Sequence, residues 1–124
     1  MWRGGNKYHA KKVEFDGIKF DSKKEGLRYL KLKSLEEEGK ISNLRRQVKY
    51  ELLPAIYQEK TIKLKTKEKI KRTCIQRAVN YMADFVYEFD GKTIVEDCKG
   101  LKTKEYLLKK KMMLSILGIE ILET

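Results

Sequence analysis

The sequence contains few of the residues from which disulfide frameworks and zinc sites are built, with one histidine and two cysteines in 124 residues. Cys74 and Cys98 lie far apart and lack the spacing of metal ligands. They could form one disulfide, although free thiols in a reducing cytosol are the favoured interpretation. The lone histidine, His9, lies in a basic N-terminal arm and is expected on the surface. A histidine-rich zinc site is therefore excluded.

Long apolar runs are absent as well. No stretch reaches the roughly 20 residues that a membrane-spanning helix needs, and no signal peptide opens the chain. We therefore expect a cytoplasmic protein, in the host cytoplasm if the chain is phage-encoded, that does not act at a membrane.

Acidic residues are in the minority, since 18 Asp and Glu face 29 Lys and Arg and give a formal net charge of +11. This excess indicates a polyanionic partner, most simply nucleic acid. An anionic membrane surface is the competing partner, but the basic residues are spread over many elements rather than along one amphipathic face. With 41% hydrophobic and 10% aromatic residues, the chain should fold as a single domain over residues 1–124.

Turn signals and apolar periodicity predict an α/β (α+β) fold in which helices flank a mixed central sheet. The expected core order is helix, three strands, helix, strand, with an extra β-hairpin in front. The predicted segments are a basic arm over 1–12, the hairpin over Val13–Phe20, helices over Ser22–Glu38 and Thr103–Leu117, and strands over Gln47–Leu53, Arg77–Phe89, Lys92–Lys99 and Ile119–Leu122. The lysine-rich segment 55–72 is either an exposed hairpin arm or a solvated loop.

Asp90-Gly91 stands between two runs of aromatic and β-branched residues, which is the strongest short-range hairpin signal. A two-residue loop there places Asp84 opposite Asp97, and strand alternation puts Lys99 on the face of Asp97. Like charges directly opposite each other destabilise a sheet by roughly 0.2–1 kcal/mol. A divalent cation reverses that sign, because Mg²⁺ binds through one or two carboxylates. Alternatively, Lys99 neutralises an ordinary acidic pair, or a longer turn separates the two acids.

Glu25 is the third candidate acid, in the first turn of the first predicted helix. The run Ser22-Lys23-Lys24-Glu25 fits a capping box with Ser22 as the N-cap, which gives Glu25 a purely structural explanation. If this helix packs over the face that carries the two aspartates, Glu25 would reach a metal directly or through water. Lys23 and Lys24 would then meet phosphates.

Three acids and a lysine suit phosphodiester hydrolysis, in which one or two Mg²⁺ ions polarise the scissile phosphate and generate hydroxide from bound water. Asp84 and Asp97 would bridge the metal, and the backbone carbonyl of Cys98 would add an oxygen ligand. Lys99 would stabilise negative charge that develops on the phosphorane, or orient the attacking water.

These residues on this element order resemble the PD-(D/E)XK nuclease superfamily, and most closely small archaeal-type Holliday junction resolvases and short phage proteins related to them. The shared pattern is an acid in the first helix, an acid on a strand and an acid-X-lysine on the next strand, matched here by Glu25, Asp84 and Asp97-Cys98-Lys99. Further runs that resemble the phage group are Asn6-Lys7-Tyr8, Phe20-Asp21-Ser22-Lys23-Lys24-Glu25 and Arg46-Gln47-Val48-Lys49-Tyr50.

The sequence departs from the superfamily pattern in two places. Ala83 stands where the superfamily name expects proline, and Asp97 is one methylene shorter than the usual glutamate. Glu96 precedes Asp97, but alternation turns it to the other face of the strand, so we do not expect it to be a ligand.

The resemblance implies that the four matched side chains are catalytic, that Mg²⁺ is the cofactor with Mn²⁺ as a substitute, and that the substrate is branched DNA in phage-type recombination. It also implies a homodimer, because a resolvase cuts two opposed strands. The basic arm, the 60–72 segment and the start of the second helix would hold DNA phosphates, and the leading candidates are Lys11, Lys12, Lys23, Lys24, Lys102 and Lys104. The competing hypothesis is a non-catalytic basic nucleic-acid-binding protein, which the charge supports equally well.

Overall fold

The computed structural model of the chain describes residues 12–124 and confirms the α+β class. The core has the predicted order of helix, three strands, helix and strand behind an N-terminal hairpin, with a second hairpin inserted after the first core strand. In chain order the elements are β1 (Val13–Phe15), β2 (Ile18–Phe20), α1 (Lys23–Glu37), β3 (Ser42–Leu53), β4 (Ile56–Lys63), β5 (Glu68–Gln76), β6 (Val79–Phe89), β7 (Lys92–Asp97), α2 (Lys104–Leu117) and β8 (Leu122–Glu123).

The central sheet has the strand order β3-β6-β7-β8. Its first three strands are antiparallel and β8 runs parallel to β7, so the sheet is mixed as predicted. Asp90 and Gly91 both have positive φ, of 50° and 73°, as a tight two-residue hairpin loop requires. The register that follows pairs Phe89 with Lys92 and Phe85 with Glu96, which confirms the predicted pairing.

Each face of the sheet is covered by one helix, because β6 and β7 carry apolar side chains on both faces. On one face Val86 and Val95 pack with Met113 and other residues of a core that α2 closes. On the other face Phe85 packs with Leu32 of α1 in a second core, which β1 and β2 extend. The two cores therefore lie on either side of the β6–β7 hairpin that carries the two candidate aspartates.

Both predicted helix caps are present. Ser22 Oγ accepts a hydrogen bond from the Glu25 amide, and the Thr103 side chain accepts one from the Tyr106 amide. Gly118 adopts the left-handed conformation at the end of α2, which ends the helix as predicted. No helix within residues 12–124 is long and apolar enough to cross a membrane.

Several strand limits differ from the prediction. β3 begins at Ser42 instead of Gln47, because the polar stretch 42–46, which lacks alternation, still pairs with β6 through a register shift. β8 is displaced to Leu122–Glu123, because Ile119 and Ile121 pack into the core without pairing along β7. β7 ends at Asp97, two residues early.

The lysine-rich segment forms a hairpin rather than a loop, and it extends beyond the predicted limit to Gln76. Strands β4 and β5 pair only with each other, in a two-stranded sheet of their own. Every residue from 56 to 75 is exposed. We call residues 56–76 the ribbon. It follows β3 directly and leads back into β6, so it begins and ends at one end of the central sheet.

Candidate active site

Asp84 and Asp97 lie on neighbouring strands at one end of the β6–β7 hairpin. Phe85 pairs with Glu96, so the next pair of the register sets Asp84 opposite Asp97. The Cys98 backbone N–H donates to Asp84 Oδ2 at 2.9 Å, which fixes the orientation of that carboxylate. The longer turn considered as an alternative does not occur, and the two carboxylates share one face.

Asp97 is fully buried and only partly satisfied. Its Oδ2 accepts a hydrogen bond from the Tyr81 hydroxyl, whereas its Oδ1 has no hydrogen-bond partner in the part of the chain that the structure describes. Lys99 Nζ lies 3.5 Å from that free oxygen. Burial, together with the negative charge of Asp84, raises the pKa of Asp97 to about 6, and the Tyr81 hydroxyl and the charge of Lys99 oppose this rise.

Glu25 joins the two aspartates from α1. Its backbone amide is capped by Ser22, while its carboxylate Oε1 accepts from Gln47 Nε2 at 3.4 Å. The cap thus occupies the backbone of Glu25 and leaves the carboxylate available for the site. Burial, followed by the negative charge of Asp84, raises the pKa of Glu25 to about 7.

Glu25 reaches the site without the condition that the sequence analysis attached to it. That condition was that α1 packs over the face of the two aspartates, but α1 packs on the opposite face, where Tyr29 and Leu32 contact Phe85. Glu25 lies at the N-terminal end of α1, close enough to Asp84 and Asp97 for their negative charges to raise its pKa. The helix end, not the helix face, brings the third acid to the site.

Gln47 is a site residue that the sequence did not reveal as one. It lies opposite Asp84, since Arg46 pairs with Phe85 and Val48 with Ala83. Its Nε2 donates to Asp84 Oδ1 and to Glu25 Oε1, each at 3.4 Å. The backbone of Gln47 has a φ of 52°, which is rare for a non-glycine residue and tends to occur at functional sites.

The lysine of the acid-X-lysine run borders a cavity. Lys99 Nζ stands 5.0 Å from the centre of the Tyr106 ring, within the range of a cation–π contact. The cavity, of about 270 Å³, is lined by Tyr81, Met82, Lys99, Thr103, Glu105, Tyr106 and Lys109. One side of Lys99 is thus held by the aspartate and the tyrosine, and the other faces open space into which a phosphate could enter.

Glu96 is fully buried on the opposite face from Asp97, as alternation predicts. Its carboxylate accepts two hydrogen bonds from Arg28, at 2.8 and 2.6 Å, and a third from the Tyr87 hydroxyl. This saturated ion pair ties α1 to β7 and leaves Glu96 no free oxygen toward the aspartates. The neighbours Glu96 and Asp97 therefore have contrasting surroundings, one paired and one incompletely paired.

The donor set near the aspartates is small. Among residues 12–124 there is no group of three histidine, cysteine, aspartate or glutamate side chains with the arrangement of a preformed metal site. A hard cation such as Mg²⁺ does not need one, because it is held by one or two carboxylates and keeps water or substrate phosphate as its other ligands. The buried free oxygen of Asp97 beside Asp84 fits this manner of binding.

The predicted DNA-binding lysines fall into three groups. Lys12, Lys23, Lys24 and Lys104 are exposed, and Lys24 is near enough to Cys98 for its charge to act on that thiol's pKa. Lys102 is exposed as well, but its ammonium lies 3.1 Å from Glu123. Lys11 lies outside the residues that the structure describes.

A family model described as "Protein of unknown function (DUF1064)" matches residues 5–116. The chain therefore belongs to this family. No curated protein and no solved structure is similar enough to the chain to count as a match.

Proposed function

We propose that this DUF1064 protein is a Mg²⁺-dependent endodeoxyribonuclease of the PD-(D/E)XK type that cuts branched DNA, such as a Holliday junction, in phage-type recombination. The observation that carries the proposal is the Asp97 carboxylate. It is fully buried, opposes Asp84 and has one oxygen without a hydrogen-bond partner in the described chain. The Lys99 ammonium, 3.5 Å from that oxygen, balances only one of the two opposed carboxylate charges. The remaining negative charge is costly at a buried site, and a further cation is what would offset that cost.

Asp84, Asp97 and the backbone carbonyl of Cys98 would hold the ion, with Glu25 acting through a water molecule. Bound Mg²⁺, or Mn²⁺ in its place, would polarise the scissile phosphate and lower the pKa of a water molecule. Gln47 orients the carboxylates of Glu25 and Asp84 by donating to both. Tyr81 holds one oxygen of Asp97 in place, which would leave the other oxygen to bind the cation.

Lys99 supplies the positive charge that the reacting phosphate requires. Its ammonium lies against Asp97 and over the ring of Tyr106. This placement keeps the charge at the site while the side chain remains about a third exposed. Lys99 would donate to a non-bridging phosphate oxygen and stabilise the negative charge that builds up there in the transition state.

The exposed lysines around the site and the basic N-terminal arm would bind the DNA phosphates, in keeping with a net charge of +11. These DNA-binding residues include Lys23 and Lys24 at the start of α1, next to Glu25. We further propose a homodimer, because resolution of a junction requires a cut in each of two opposed strands. Its place of action would be the cytoplasm, where the free thiols of Cys74 and Cys98 would stay reduced.

The test is incubation of a labelled four-way junction, and of a linear duplex of the same length, with the protein in Mg²⁺ and in EDTA. We expect cleavage of the junction that requires Mg²⁺ and is lost in Asp84→Ala and in Asp97→Ala. Glu88→Ala is the matched control, because Glu88 is an acid of the same strand β6 that is bonded to Arg45 and Thr93 instead.

Two results would contradict the proposal. Cleavage that survives both aspartate variants would place the chemistry elsewhere. Salt-dependent DNA binding without strand scission in Mg²⁺, Mn²⁺ or Ca²⁺ would instead support the non-catalytic nucleic-acid-binding protein, which the net charge also allows.

A further inference from the structure

The ribbon is exposed along nearly all of its length and contributes no residue to either core. Residues 56–75 are all exposed, and β4 and β5 pair only with each other. An isolated two-stranded hairpin is at best marginally stable in water. A binding partner on the surface of the ribbon would therefore stabilise it. The ribbon is also strongly basic, with seven cations against two acids: Lys60, Lys63, Lys65, Lys67, Lys69, Lys71 and Arg72 against Glu59 and Glu68.

The pairing of β4 with β5 sorts these charges onto two unlike faces. On one face, cross-strand partners are opposite in sign, with Glu59 facing Arg72 and Lys63 facing Glu68. The guanidinium of Arg72 also lies 3.9 Å from the centre of the Tyr57 ring on this face. We call it the balanced face, since its strand residues have no net charge.

The other face carries cations alone. Lys60 is directly opposite Lys71, and Lys69 follows on the same side, opposite Ile62. The uncharged partners Gln58 and Thr73 complete this face, on which neither strand places an acid. We call it the lysine face.

The lysine face has a surplus that the ribbon itself does not neutralise. Lys60 and Lys71 repel each other, because like charges directly opposite each other in a β-ladder are destabilising. On the balanced face of the same two strands, by contrast, each charged residue faces one of opposite sign. A row of lysines without acids is complementary to a row of phosphates. Strand β4 has eight residues, so at about 3.3 Å per residue the ribbon is roughly 26 Å long, close to the rise of eight base pairs.

We propose that the lysine face of the ribbon, formed by Lys60, Lys69 and Lys71, binds the phosphate backbone of duplex DNA beyond the candidate active site. This rests on the proposed function only in taking DNA as the polyanion. The ribbon grows from the ends of β3 and β6, the strands that carry Gln47 and Asp84. Its contacts would therefore extend along the duplex, away from the acids.

The test compares two double variants with the same change in net charge. Lys60→Gln with Lys71→Gln removes two cations from the lysine face, and Lys63→Gln with Arg72→Gln removes two from the balanced face. Binding to a labelled 30-base-pair duplex is measured by fluorescence anisotropy in EDTA, where no metal-dependent cleavage occurs, over a series of salt concentrations. Circular dichroism checks that both variants remain folded, as expected because all four side chains are exposed.

We expect the lysine-face variant to bind about tenfold or more weakly at 0.1 M salt. Its slope of log K against log salt should fall by about 1.8, the value for two lost phosphate contacts. The balanced-face variant should stay within about threefold of the wild type and keep its slope.

Equal losses in the two variants, or no loss in either, would overturn the proposal. A difference that appears on phosphatidylserine vesicles and not on DNA would overturn it in favour of a membrane surface. Failure of the nuclease proposal alone would give a different result. The lysine-face variant would still bind DNA more weakly than the balanced-face variant, but the wild type would leave the four-way junction intact in Mg²⁺.

Discussion

Replacing Asp84 with asparagine should make the metal-free protein more stable. In the absence of a cation, the charge of Asp84 repels those of Glu25 and Asp97. It contributes to the rise in the pKa of Glu25 to about 7 and in that of Asp97 to about 6. Two unit charges about 5 Å apart repel by roughly 2–3 kcal/mol at an effective dielectric constant between 20 and 40. Asparagine keeps an oxygen for the Cys98 amide but accepts more weakly, at a cost of about 1 kcal/mol. The expected net gain is at least about 1 kcal/mol, the lower end of that difference.

Glu96→Gln provides the comparison, because Glu96 is a carboxylate on the same hairpin that is fully buried, whereas Asp84 is half-buried. Its two hydrogen bonds from Arg28 and one from Tyr87 neutralise it without any added ion. Loss of its charge leaves the Arg28 guanidinium unpaired in a largely buried place, and such losses cost about 3 kcal/mol. The two substitutions are alike in chemistry and should change the free energy of unfolding in opposite directions.

The assay is thermal unfolding at pH 8 and low salt, in EDTA and then in Mg²⁺. In EDTA, Asp84→Asn should raise the midpoint by about 3 °C for a domain of this size, and Glu96→Gln should lower it by about three times as much. Magnesium should stabilise the wild type, by about 1.4 kcal/mol at ten times the dissociation constant, and leave Asp84→Asn unchanged. If Asp84→Asn is instead less stable than the wild type in EDTA and responds to Mg²⁺ as the wild type does, the three acids are not a cation site.

Two further predictions concern the same acids. The pKa of Glu25 is raised from 4.5 to about 7 on folding, so the stabilisation it gives the metal-free protein is complete below pH 4.5 and is lost as the pH rises through about 7. Urea unfolding in EDTA at pH 5 and pH 8 should therefore show a loss on the order of 3 kcal/mol that Glu25→Gln largely removes, and an unaltered pH dependence in that variant would refute the assignment. Gln47→Ala should lower junction cleavage by about 10- to 100-fold and weaken the Mg²⁺ response, because Gln47 orients Glu25 and Asp84. Full activity in Gln47→Ala would show that these 3.4 Å contacts are incidental. Thr61→Ala serves as the control, because Thr61 is exposed and lies on the balanced face of the ribbon.

The local part of the site was predictable from the sequence. A two-residue Asp90-Gly91 loop fixes which residues of the hairpin oppose each other, so the juxtaposition of Asp84 and Asp97 follows by counting outward from the turn. The separation of Glu96 from Asp97 follows in the same way from the two-residue period of a strand. The caps at Ser22 and Thr103 were likewise set by a few neighbouring residues.

What was missed depends on contacts between distant segments. Gln47 meets Asp84 only through the pairing of β3 with β6, and neither strand carries a turn signal that sets their register. The face on which α1 packs is decided by the apolar residues of β6 and β7, which have cores on both sides, so the sequence alone gave no preference. The segment 55–72 stayed ambiguous because a fully exposed ribbon buries no side chains and leaves no one-sided apolar period.

The isolation of the ribbon from both cores has a consequence for how such a protein can vary. Insertions, deletions or substitutions between residues 56 and 75 remove no buried side chain, so they change the free energy of unfolding little. The two aspartates, by contrast, lie in a hairpin that has a core on each side. The contacts along a nucleic acid and the cleavage of its bonds would thus depend on separate segments of the chain. The ribbon could change in length or charge without any change in the residues of the candidate active site.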